Sequence, residues 1–185
     1  VSDFRPASYR TSTATLGVNA AKVFAVAKSG STVTATPGVP VTYTVSWLNG
    51  LEAGVGTGAL VDVLPFDGDG RGTEALTGLA LTGLSVDADM AVRVQFTTAD
   101  PADTLAAVKA DPSGETITGW AEWPTDGSVP AGVTALRFLT GDIEPGMGGE
   151  VTLTAVPGLL GVDGSTVNNL YGTVTGLDAA ITAVS

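Results

Sequence analysis

Three features of the sequence predict an all-β chain folded as an immunoglobulin-like antiparallel β-sandwich. Short runs alternate apolar with polar side chains, the period of a strand with one face buried. The 25 glycines and 10 prolines recur at short intervals between those runs, as tight turns require. Hydrophobic residues make up 44% of the 185 residues against 15% charged, enough to bury a core and too much for a disordered chain.

Residues 1–20 are polar and rich in Thr and Ser, with no apolar stripe, and read as an extension or linker strand. Residues 21–185 read as one sandwich domain. Its first strand places Phe24, Val26 and Lys28 on one parity. In VTYTVSW, Val41, Tyr43, Val45 and Trp47 point one way and Thr42, Thr44 and Ser46 the other. ALVDVLP (59–65) is a strand closed by Pro65, followed by the glycine-rich loop 66–74. LTGLALTGLSV (76–86) and MAVRVQFTT (90–98) continue the series, the latter alternating Met90, Val92, Val94 and Phe96 against Ala91, Arg93 and Gln95. PADTLAAVKADPSG (101–114) is the one stretch suited to a short helix. GVTALRFLTG (132–141), GEVTLTAVP (149–157) and STVNNLYGTVTG (165–176) complete the strands. About eight or nine strands with turn signals every 8 to 15 residues indicate a sandwich rather than a βαβ fold.

Composition removes several function classes. The chain has no Cys and no His, which excludes thiol nucleophiles, disulfides, zinc-finger sites and imidazole bases. Eight basic residues against nineteen acidic ones give a net charge of -11. The five arginines (Arg5, Arg10, Arg71, Arg93, Arg137) form no run, so a nucleic-acid partner is not expected. No apolar run approaches the roughly 20 residues of a membrane-spanning helix. A first residue of Val1 and no signal peptide suit a processed mature chain or an excised fragment.

The ordered series AKSGSTVTATPGVPVTYTVSWLNG and ALVDVLP resembles the opening of the bacterial surface "conserved repeat" domains of the DUF eleven type, and of the related fimbrial isopeptide-forming domains. The shared elements are Lys28, Pro37-Gly38, Val41 to Thr44, Asn49-Gly50 and Val61 to Pro65. DGDGRGTEALTG, LRFLTGDIEPGMGGEVTLTAVP and GSTVNNLYGTVTG resemble later segments, so the likeness covers about residues 22–176. Trp47, where the family places a smaller residue, departs from it. The resemblance implies a non-enzymatic structural module of a secreted bacterial cell-surface protein, a stalk repeat or fimbrial filament subunit. Its partners would be neighbouring copies or domains, with no nucleic acid and no membrane insertion.

The resemblance also implies an intramolecular Lys–Asn isopeptide bond. That chemistry needs a neutral amine, an Asn carboxamide within reach and a protonated carboxylic acid, and an apolar core disfavours the charged form of both titratable groups. The candidates are Lys28, Asp62 and either Asn168 or Asn169. Asn168 is preferred, since it shares parity with Leu170 and Val174 while Asn169 goes with Val167 and Tyr171. The bland alternative is a solvated Lys28, an Asp62 serving the turn before Pro65 and an Asn168 bonded to backbone.

Two further candidates come from the residues themselves. Asp67, Asp69 and Glu74 on the glycine-rich loop supply oxygen ligands of the kind Ca2+ takes, although their spacing is not that of an EF-hand and a solvated turn accounts for them as well. Trp120 and Trp123 in WAEWPTDG (120–127) are candidates for an adhesin surface binding a glycan or host protein through its loops, the alternative function. No second carboxylate is placed to make Glu122 a hydrolase, and Trp47 falls on the core parity of its strand.

Overall fold

The computed structural model describes residues 23–31, 34–36, 38–74, 76–159 and 164–184. The extension at residues 1–20 lies outside them, as does Pro37. The described residues form β1 (Phe24–Gly30), β2 (Thr34–Ala35), β3 (Val41–Asn49), β4 (Gly58–Val63), β5 (Leu76–Ala88), β6 (Val92–Thr97), α1 (Pro101–Ala110), β7 (Ala121–Glu122), β8 (Ala135–Thr140), β9 (Gly148–Leu159), β10 (Gly164–Ser165), β11 (Asn169–Val174) and β12 (Ile181–Val184). One sheet runs β1-β3-β9-β5, the other β12-β11-β4-β8-β6-β7, and β2 pairs with β10. Every pairing is antiparallel. The fold is the immunoglobulin-like β-sandwich the alternation predicts.

The core follows from that alternation. Val41, Tyr43, Val45 and Trp47 of β3 are buried and meet Leu60, Leu136, Phe138 and Leu170 of the opposite sheet, with Val151 and Leu153 beside them on β9. A second, smaller cluster lies on the outer face of the six-stranded sheet, where Val61, Val63, Ala135 and Tyr171 pack under Leu105 and Val108 of α1. The helix forms where the sequence suits one. Asp100 caps it, its carboxylate accepting from the backbone N–H of Ala102 and Asp103 at 2.9 and 3.2 Å, and Pro101 occupies the first turn. Buried on both faces, β4 reads in sequence as an apolar run interrupted only by Asp62. No helix among the described residues is long and apolar enough to cross a membrane.

The end of the chain differs from the sequence reading, as does β2, which it did not assign. The strand expected at residues 165–176 is divided into β10 and β11, with Thr166, Val167 and Asn168 between them. β12, which the sequence reading did not assign, follows as the edge strand, so β11 is the penultimate strand.

Candidate functional site

The inward parity of β1 and β4 brings one polar pair together in the apolar interior. On β1, Lys28 pairs in register with Val45 and continues the inward row of Phe24 and Val26. On β4, Asp62 lies between Leu60 and Leu64, both part of the inter-sheet core. β11 pairs Leu170 with Asp62, and Asn168, which immediately precedes β11, is wholly buried. The Lys28 Nζ stands 2.5 Å from Asp62 Oδ2, and neither side chain has any exposed surface. The solvated Lys28 and turn-capping Asp62 of the bland alternative are therefore not what the fold builds. Asn169 is only half buried.

Tyr43 links the pair to the segment that carries Asn168. Lys28 Nζ sits 5.8 Å over the Tyr43 ring, and the Tyr43 hydroxyl donates to Thr166 Oγ1, between β10 and β11, at 2.7 Å. Burial lowers the Lys28 amine from 10.5 to about 8. The charge and hydrogen bond of Asp62 oppose that shift, and the positive charge of Arg71 adds to it. Burial likewise raises the Tyr43 hydroxyl above its ordinary value.

The glycine-rich loop 66–74 lies against this group. Arg71 donates through Nη1 to the Val63 carbonyl at 2.8 Å and through Nη2 to the Leu64 carbonyl at 2.9 Å, gripping the backbone on either side of the β4 terminus. Its Nε donates to Asp69 Oδ2 at 2.8 Å. The Thr73 hydroxyl donates to Asp69 at 2.9 Å and accepts from the Val167 backbone N–H at 3.2 Å. The loop thus clamps the end of the Asp62 strand to the residue that precedes Asn168. Burial alone would raise the Asp69 carboxyl, but the backbone N–H of Arg71, the Thr73 hydroxyl and the Arg71 charge outweigh it and hold the carboxyl below its usual value.

The three candidate calcium ligands of this loop, Asp67, Asp69 and Glu74, stand in different surroundings. Asp69 is turned inward and neutralised by Arg71, while Asp67 and Glu74 are exposed. Among the described residues no group of three His, Cys, Asp or Glu side chains is placed to hold a metal.

Trp120 and Trp123 are each half buried, packed on one side and open on the other. Trp120 donates its indole N–H to the Gly114 carbonyl at 3.0 Å and packs on the cluster beneath α1. Trp123 meets Phe96 edge to face, with ring centroids 6.1 Å apart. Glu122, between them, accepts from Gln95 Nε2 at 2.8 Å. Trp47 is core, 3% exposed. Sequence reasoning did not single out Tyr43, Arg71 or Thr73 for the site. The one available signal was an arginine embedded in a loop of glycines and acids.

No protein-family model matches the chain, and no curated protein matches its sequence. Among solved structures it is similar to the C-terminal domain of the Streptococcus pyogenes antigen I/II-family protein AspA, at 12% identity and a TM-score of 0.41. That likeness covers 86% of this chain and 46% of that one, so the chain spans less than half of AspA's solved domain. It is similar to the collagen-binding domain of a Staphylococcus aureus adhesin, at 14% identity and a TM-score of 0.37, covering 86% of this chain and 97% of that one. It is also similar to AvmM, which catalyses macrocyclization in alchivemycin A biosynthesis, at 10% identity and a TM-score of 0.35, covering 89% and 86% of the two chains.

Proposed function

We propose that the chain is a non-enzymatic structural module of a secreted bacterial cell-surface protein, a stalk repeat or filament subunit, whose two sheets are tied by an isopeptide bond from Lys28 to Asn168. The observation that carries the reading is the wholly buried Lys28–Asp62 contact, with Asn168 wholly buried just before β11. A buried ion pair is weak support for stability, because desolvation offsets the attraction and an apolar pair of like volume does as well. A lysine and an aspartate kept inside an apolar core therefore suit chemistry better than folding.

The step is a transamidation. Lys28, with its amine shifted toward the neutral form, attacks the Asn168 side-chain carbonyl carbon. Asp62 Oδ2, the nearest acceptor, takes the proton that the amine loses and returns it to the departing carboxamide nitrogen. The Nζ–Cγ bond forms, the Cγ–Nδ2 bond breaks and one ammonia leaves. No oxidant or cofactor enters the balance, and the site acts once on its own chain. The bond would join the four-stranded sheet to the six-stranded one.

Intact mass of the purified chain tests the reading directly. The wild type is expected one ammonia lighter than its sequence, and Lys28→Met, Asp62→Asn and Asn168→Ala are each expected at full sequence mass. A folded wild type at full mass after prolonged incubation sinks the proposal.

A further inference from the structure

The outer face of the six-stranded sheet is only half covered. α1 lies over Val61, Val63 and Tyr171. Beyond it, β4, β6, β8 and β11 floor an open groove of about 420 Å³, within the roughly 300–1,000 Å³ of small-molecule sites. Arg93 of β6 and Arg137 of β8 both line it, in a chain with only eight basic residues and a net charge of -11. Arg137 is the unusual one. Its side chain is 11% exposed, and its Nε has no acceptor among the described residues although it is buried. The nearest acid is Glu115, 78% exposed, whose Oε1 stands 3.9 Å from Arg137 Nη2, beyond hydrogen-bond reach. A guanidinium withdrawn from water with unused donors costs free energy, and a carboxylate meeting its planar fork recovers it.

We propose that this groove binds the carboxylate of an acidic sugar, a uronic or sialic acid unit. The other polar lining is chiefly hydroxyl, with Thr57, Thr173 and Thr175 among it, which suits a ring carrying several hydroxyls beside its acid group. β4 and β8, in the middle of the floor, pair on both sides, so a peptide could extend the sheet only at the rims, beside Arg93 of β6 or Thr173 of β11. No aromatic residue lines the groove, which removes the stacking platform a neutral sugar would use. Glu115 is a resident competitor at the rim, and the ligand carboxylate takes the place it holds beside Arg137. The site is independent of the inter-sheet bond.

Titration of the isotope-labelled full chain with glucuronate and with N-acetylneuraminate, followed by amide chemical shifts, tests this. Glucose and a glutamate-containing tetrapeptide serve as controls. Acidic sugars are expected to move the resonances of Arg93, Arg137 and Thr173, with affinity falling as salt rises. Arg137→Gln is expected to weaken binding by about tenfold or more, and Glu115→Gln to strengthen it. The exposed Glu115 leaves the fold untouched when changed, so the gain remains readable even if Arg137→Gln unfolds. Silence with both acidic sugars at millimolar concentration overturns the proposal. So does equal binding of glucose, tighter binding of the peptide, or an affinity indifferent to Glu115→Gln.

Discussion

Lys28 is held where a lysine gains least from its charge, and the pH response of the unlinked chain follows from that. The folded amine titrates at about 8 and the unfolded one near 10.5, so between those values the unfolded chain binds more protons than the folded chain. Stability of Asn168→Ala, which keeps Lys28 but cannot form the bond, is therefore expected to rise with pH across that window. Below about 8 the full penalty is present. Denaturant unfolding along a pH series reads this, with Lys28→Met/Asn168→Ala as the reference that retains every other titrating group. Equal slopes for the two proteins would remove the assignment. At this scale parity made two of the buried groups legible: Lys28 and Asp62 each share a strand's period with large apolar residues, whereas parity gave only a preference for Asn168 over Asn169, since both have apolar neighbours. Arg71 was not legible, because a loop arginine declares no parity and its acceptors are backbone carbonyls that any sequence provides. Asp69 declares no parity for the same reason. Acids on a glycine-rich loop look alike until the fold turns one of them inward.

Elements were legible where period or capping chemistry was strong. β3 follows the predicted alternation, β4 is the strand expected before Pro65 and α1 falls in the stretch suited to a short helix, whereas β12 is short, with Ile181 and Ala183 its partly buried contribution to the core. Two predictions belong to elements. In the β3–β9 pair Trp47 is opposite Gly149, and a Cβ there would collide with the indole and lie 2.7 Å from the Ala88 Cβ. The larger residue at position 47 is thus accommodated by an absent side chain on the next strand. Gly149→Ala is expected to cost about 1–3 kcal/mol by overcrowding. Adding Trp47→Phe to it should restore part of that loss, as a double-mutant cycle would show. Loop 66–74 is the second case. Thr73→Val keeps the shape of residue 73 but removes the hydrogen bond to Val167 N–H, releasing the segment next to Asn168. Bond formation after refolding should slow by roughly ten- to a hundredfold, as loss of alignment between reacting groups does. The final linked mass should be unchanged. A wild-type rate in Thr73→Val would mean the loop closes the site without aligning it.

At the scale of the whole molecule, the sandwich is two sheets held face to face by an apolar core, with no cysteine to join them. Pulling along the chain, such a fold yields by shearing the sheets apart, since side-chain packing between them lacks the directional bonds found within each. A covalent link from β1 to the segment before β11 crosses that interface and encloses most of the chain between its ends. In the unfolded state the same link closes a very long loop and removes its entropy, an effect of about 4–5 kcal/mol for a loop of this order. Wild type is therefore expected to exceed Asn168→Ala in unfolding free energy by that amount. Deletion of the Asn168 amide accounts for little of the difference if Lys28→Met shows a similar deficit, since either change removes the bond. Under force, the linked chain should extend only through the residues outside the Lys28–Asn168 loop, while the unlinked variants should extend through their full length. Full-length extension of a wild type already shown to be one ammonia light would mean that the link lies elsewhere in the chain.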